Sequence, residues 1–85
     1  MPRSVFTDAY SIVLKTLLEA REAAGLTQID LAARLDRPQP FISKVERGVR
    51  RLDIVEFYAW ARAIGEDPAA LFARIAKKLP KKVDI

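Results

Sequence analysis

Residues 37–51 concentrate the groups through which this chain could touch another molecule. Arg37, Lys44, Arg47, Arg50 and Arg51 stand there against Glu46 alone, with Gln39 and Ser43 among them. These are hydrogen-bond donors and fixed cations, suited to binding an anion rather than to moving protons. Localised positive charge on an otherwise neutral body is the electrostatic footprint of a nucleic-acid surface. A second basic run, Arg74, Lys77, Lys78, Lys81 and Lys82, contains no acid. It fits either a nucleic-acid contact or a solvated, solubilising tail. The rest of the chain is neutral to acidic, and the net charge is +4.

The absences point the same way. The chain has no cysteine and no histidine. A disulfide framework and a thiolate metal site are therefore excluded, and zinc loses its commonest ligand. Acid–base chemistry near neutral pH loses its commonest proton shuttle. Neither a glycine-rich phosphate loop nor an acidic pair in an apolar setting can be read. The expectation is a protein that is not an enzyme, with no cofactor and no metal. No apolar run approaches the roughly 20 residues of a membrane span. The opening MPRSVFTDAY lacks the apolar centre of a signal peptide. With the missing cysteines, this predicts a soluble cytoplasmic protein with no membrane partner. A length of 85 residues at 51% hydrophobic predicts one globular domain.

The basic cluster must be carried by something rigid. In LTQIDLAARLDRPQPFISKVERG, residues 26–48, two short helical patterns sit four residues apart. The first ends at Leu35 and the second opens at Gln39. The second carries polar and basic residues on one face. This is the layout of a helix-turn-helix, whose second helix lies in the DNA major groove. The periodicity of the whole chain predicts an all-α, compact five-helix bundle over residues 1–80. The helices fall near 7–24, 28–35, 39–47, 54–64 and 68–79, with a short basic tail over 81–85.

Local signals mark the helix ends. Thr7 is placed to cap the first helix and Gly25 to end it. Its apolar stripe is Tyr10, Leu14, Leu17 and Leu18. Thr27 and Asp30 form a shortened capping box, with Leu26 and Leu31 as its hydrophobic staple. Leu31, Ala32 and Leu35 face the core. Asp53 and Glu56 form a second box, stapled by Leu52 and Phe57. The fourth helix is then expected to bury Ile54, Phe57, Tyr58, Ala61 and Ile64, and to stop at Gly65. Asp67 caps the fifth helix, with Pro68 at its first position, where a missing N–H costs nothing. Leu71, Phe72, Ile75 and Leu79 line one side, and Pro80 ends it.

Two charges fall on buried stripes. Arg21 follows Leu17 by four residues, and Glu46 follows Ile42 by four. A charge so placed is expensive unless paired. Either each snorkels to water, or the two pair with each other and tie the first helix to the third. Pairing is the cheaper arrangement.

From about Leu17 to Phe72 the chain resembles the lambda-repressor-like helix-turn-helix family, also called the XRE or Cro/repressor family. The resemblance rests on Arg21, LTQIDLAARL, ISKVERG, the Leu52–Gly65 helix and DPAALF. It implies a bundle of about five helices that binds double-stranded DNA and regulates transcription, with an Arg–Glu pair at Arg21 and Glu46. It places the base readers on the first two turns of the third helix, at Gln39, Pro40, Ser43 and Lys44. Gln39 could then pair bidentately with adenine, and Lys44 could donate to guanine O6 or N7. Thr27 and Gln28 at the second helix start, Arg37 in the turn, Phe41, and the trailing Arg47, Arg50 and Arg51 become candidate backbone contacts.

The departures fall on the reading face. Asp36 stands where the family commonly has glycine, and Asp tolerates the left-handed conformation. Pro38 stands where a Ser or Thr cap is usual. Pro40 sits in the first turn, where it breaks no intrahelical bond and offers DNA only apolar contact. Phe41 fits two places, the sugar–phosphate wall or the core.

The resemblance further implies a homodimer on a palindromic operator, with half-sites about 34 Å apart. Leu71, Ile75 and Leu79 supply the expected dimer surface; the same residues could instead complete the core. Occlusion of a promoter makes repression the simplest mechanism. The alternative is an antitoxin or a phage or plasmid accessory protein that binds a partner protein and autoregulates.

Overall fold

A computed structural model describes residues 8–85, and every regular element among them is a helix. The order is α1 (Asp8–Ala23), α2 (Gln28–Leu35), α3 (Gln39–Glu46), α4 (Ile54–Ala63) and α5 (Pro68–Lys78). Thr7, expected to cap the first helix, lies outside the described residues. α2 packs on α3 and α4, α1 on α3 and α5, and α4 on α5.

Short polar side chains set the boundaries. The Asp30 N–H donates to Thr27 Oγ1 at 3.0 Å, and the Thr27 N–H donates to Asp30 Oδ2 at 2.9 Å. The second box repeats the exchange, Glu56 N–H to Asp53 Oδ1 at 2.7 Å and Asp53 N–H to Glu56 Oε1 at 2.9 Å. Asp67 caps α5 through the Ala70 N–H at 3.0 Å. Asp36 ends α2 in the left-handed conformation, φ 54° and ψ 47°. It is the sole non-glycine residue with positive φ among those described. Pro38 opens α3 with extended backbone and no side-chain cap. The turn holds because proline presets the extended entry and Pro40 leaves no helical N–H orphaned.

The core runs through Leu17, Ala20, Leu31, Ala32, Ile42, Val45, Trp60, Ala61, Ile64 and Leu71. Trp60 is 1% exposed and is the largest side chain inside. Its indole N–H finds no acceptor among the described residues. Here the buried face of α4 differs from expectation. Phe57, Trp60, Ala61 and Ile64 turn inward, while Ile54 is 77% and Tyr58 51% exposed. The reason is that α4 is apolar nearly all round, so the space beneath it selects the face. Tyr58 stays at the surface, where its hydroxyl accepts from Arg62 Nε at 3.2 Å. Phe72 on α5 is likewise 52% exposed, its ring edge-on to Phe57.

The expected dimer surface lies mostly inside the fold. Leu71 and Ile75 are fully buried within the chain's own core, and of the trio only Leu79 keeps exposed surface. α1 and α4 cover the inner stripe of α5, and Ile75 lies at the floor of a groove shared with Ile54, Phe72 and Leu79. The chain end does not stand clear of the bundle either. Pro80, Lys82, Val83 and Asp84 line a groove with Asp8, Ala9 and Ile12 of α1. No helix among the described residues is long and apolar enough to cross a membrane.

Candidate nucleic-acid interface

The site is assembled from the inside outward. Arg21, on the buried stripe of α1, donates through Nε to Glu46 Oε2 at 2.7 Å and through Nη2 to Glu46 Oε1 at 3.1 Å. Its Nη1 donates to the Leu26 carbonyl at 2.7 Å. Both side chains are about nine-tenths buried. The bidentate geometry and the third bond supply what a buried charge pair requires. The pair fastens the C-terminal end of α3 to α1 and to the loop entering α2.

The same carboxylate continues outward. Gln28 Nε2 donates to Glu46 Oε1 at 2.8 Å, and Gln39 Nε2 donates to Gln28 Oε1 at 2.7 Å. Gln28, expected at a phosphate, has its amide engaged within the protein, because Glu46 lies within its reach across the α2–α3 crossing. One amide hydrogen, the donor a phosphate would need, and one lone pair of its carbonyl oxygen are left. Gln39 gains a fixed orientation from this. Its carbonyl oxygen and second N–H are unpartnered among the described residues, the acceptor–donor set that an adenine edge requires.

Further along α3, Lys44 is exposed, and Ser43 is half-buried with its hydroxyl accepting from Arg47 Nε at 3.1 Å. Pro40 is exposed, as is Thr27 at the head of α2.

A second cluster gathers around Phe41. Its ring is half-buried, with Trp60 behind it at 6.4 Å between centroids. The Arg50 guanidinium lies 4.9 Å from the ring centroid and that of Arg37 6.0 Å. Phe41 therefore meets the core through Trp60 and also carries two cations. Arg50 is not a loose surface cation. It grips Glu56 with Nη1 to Oε1 and Nη2 to Oε2, both at 2.7 Å, and Nη1 also donates to the Arg51 carbonyl at 2.9 Å. Arg50 and the Asp53 N–H hold the Glu56 carboxyl at about 2, well below the usual range. Arg51 lies over the Tyr10 ring at 4.5 Å, and the Tyr10 hydroxyl accepts from the Leu52 N–H at 3.1 Å.

Glu56 and Tyr10 are the residues that sequence reasoning missed. Its place three residues after Asp53 marks Glu56 only as a helix cap. A carboxylate has more acceptor sites than a capping box uses, and that surplus was the available signal. Among the described residues, no three carboxylates gather as they would to hold a metal ion.

Comparison with known proteins identifies the family. The helix-turn-helix family model matches residues 17–71. A solved structure, an XRE-family like protein from Pseudomonas syringae pv. tomato str. DC3000, is similar at 53% identity and a TM-score of 0.80. The match covers 85% of this chain and 88% of that one. No curated protein matches. With the five helices, the Arg21–Glu46 tie and an exposed polar α3 in place, the chain belongs to the XRE-type, lambda-repressor-like helix-turn-helix family.

Proposed function

We propose that this chain is a cytoplasmic transcriptional repressor that binds a palindromic operator as a homodimer, each α3 reading one half-site in the major groove. The family is one of DNA-binding transcription regulators. The observation that carries the finer reading is the Arg21–Glu46–Gln28–Gln39 chain of bonds, which presents an oriented amide at the head of an exposed helix. Gln39, Ser43 and Lys44 then read base edges, with Pro40 giving apolar contact. Thr27, Arg37, Arg47, Arg50 and Arg51 set the register on phosphates, with Phe41 beneath two of them.

One eight-residue helix reads few base pairs, so a second copy is needed for a specific site. The surface we assign to it is the strip of Ile54, Tyr58 and Phe72, bordered by Leu79. It lies on α4 and α5, whereas α3 packs chiefly on α2 and α1, so pairing there leaves the reading face uncovered. Bound as a dimer, the protein would occlude a promoter.

Selection of bound duplexes from random DNA tests the reading. An inverted repeat with half-sites one helical turn apart is the expected product. Absence of any enriched sequence at low salt would overturn it. The same apolar strip also suits a partner protein, the antitoxin-like reading. A chain that stays monomeric alone and binds no selected sequence would favour that alternative.

A further inference from the structure

We propose that Glu56 and Phe41 form a cradle that presents one edge of Arg50 as a preset fork for a DNA phosphate. The proposal rests on the DNA-binding reading above and names the positioning residues behind one of its contacts. A guanidinium carries five N–H donors in a rigid plane. Glu56 takes the end-on pair, one from Nη1 and one from Nη2, and the Arg51 carbonyl takes the second Nη1 hydrogen. The two donors unpartnered among the described residues are the Nε hydrogen and the second Nη2 hydrogen. They lie parallel along the side-on edge, the geometry that matches two oxygens of one phosphate.

Position agrees with this use. Arg50 is partly exposed, its side chain at 43%, and its guanidinium carbon lies over the ring of Phe41, in the first turn of α3, at 4.9 Å. Arg37 shares the same ring, so two cations flank the N-terminal end of α3, which itself favours anions. Glu56 is fixed in turn by the Asp53 N–H, so the cradle is anchored to the cap of α4. A carboxylate beside a phosphate-binding arginine would ordinarily weaken DNA binding by its charge. Here it removes rotamer freedom that the long side chain would otherwise lose on binding.

The two effects of Glu56 have opposite signs, which makes the test sharp. Binding of the full chain to a mixed-sequence DNA duplex is measured by fluorescence anisotropy across a salt series, with thermal melts on every variant. Glu56→Gln keeps an oxygen for the Asp53 N–H and adds one net positive charge. It is expected to weaken binding about threefold or more, and to cause no weakening in an Arg50→Ala background, where only the relief of its charge is left. Arg50→Lys keeps the charge without the fork, and it too should weaken binding while largely retaining the salt slope. Tighter or unchanged binding by Glu56→Gln overturns the cradle, even where Arg50→Ala lowers the slope by about 1 as a lost phosphate contact should. An Arg50→Ala variant with unaltered slope removes the contact itself and the cradle with it. No binding by the native chain defeats the underlying DNA-binding reading.

Discussion

Gln39 reaches back from α3 to α2, its amide nitrogen 2.7 Å from the Gln28 carbonyl oxygen. Gln28 is itself held by Glu46, at the other end of α3. The head of α3 is thus oriented by a bond chain that begins at its own C-terminus. Gln28→Ala should therefore mimic part of Gln39→Ala. Each is expected to cost about 1–3 kcal/mol on a selected operator and to relax preference at one base pair. The double variant should lose much less than the sum, because the two residues act through one contact. Binding titrations on the operator and its single-base variants check this. Additive losses would mean that Gln28 contacts DNA on its own account.

Glu46 accepts from Arg21 twice and from Gln28 once, with little solvent nearby. Glu46→Ala strands a buried guanidinium, which costs about 3–5 kcal/mol. For a domain this small that lowers the melting temperature by roughly 12 °C or more. Glu46→Gln keeps one acceptor oxygen and should lose less. A thermal melt of Glu46→Ala that matches the native protein would contradict the role assigned to the pair.

These relationships were not equally legible in the sequence. The capping boxes at Thr27 and Asp53 could be read because their partners lie three residues apart on one chain segment. Arg21 and Glu46 could be read because helical periodicity put two opposite charges on buried stripes. The Gln28–Gln39 bond could not, since it depends on how α2 crosses α3. Trp60 was missed for a related reason. α4 offers apolar side chains in nearly every direction, and only the surrounding helices decide which face goes in. Leu71 and Ile75 show the same ambiguity resolved the other way. Their spacing marks an apolar stripe and says nothing about whether a second copy or the chain's own α1 and α4 will cover it.

Acid should release the Arg50–Glu56 grip. Arg50 first, then the Asp53 N–H, hold the folded Glu56 carboxyl at about 2, against 4.5 ordinarily. A depressed carboxylate stabilises the fold fully above its unfolded value. As pH falls from 4.5 toward about 2 the unfolded chain takes up the proton first, and this contribution fades. Melting temperatures followed through that window should fall more for the native chain than for Glu56→Gln. Identical acid profiles would show that the pair contributes nothing to folding.

Ile54 offers the cleanest separation of association from stability. It is 77% exposed at the first position of α4 and borders the apolar groove with Phe57, Phe72 and Leu79. Ile54→Asp removes little buried surface, and an acid in the first turn of a helix is favourable. The melting temperature of the monomer should therefore hold, within the roughly 0.5 kcal/mol typical of surface changes. A charge within a pairing strip, by contrast, would be desolvated twice over, once in each copy of a symmetric dimer. Sedimentation of the native chain should reveal a dimer, and Ile54→Asp should shift it to monomer with at least a tenfold weaker association, about 1.4 kcal/mol. Operator affinity should fall with it, while binding to a single half-site stays unchanged. A variant that remains dimeric would move the interface away from α4 and α5.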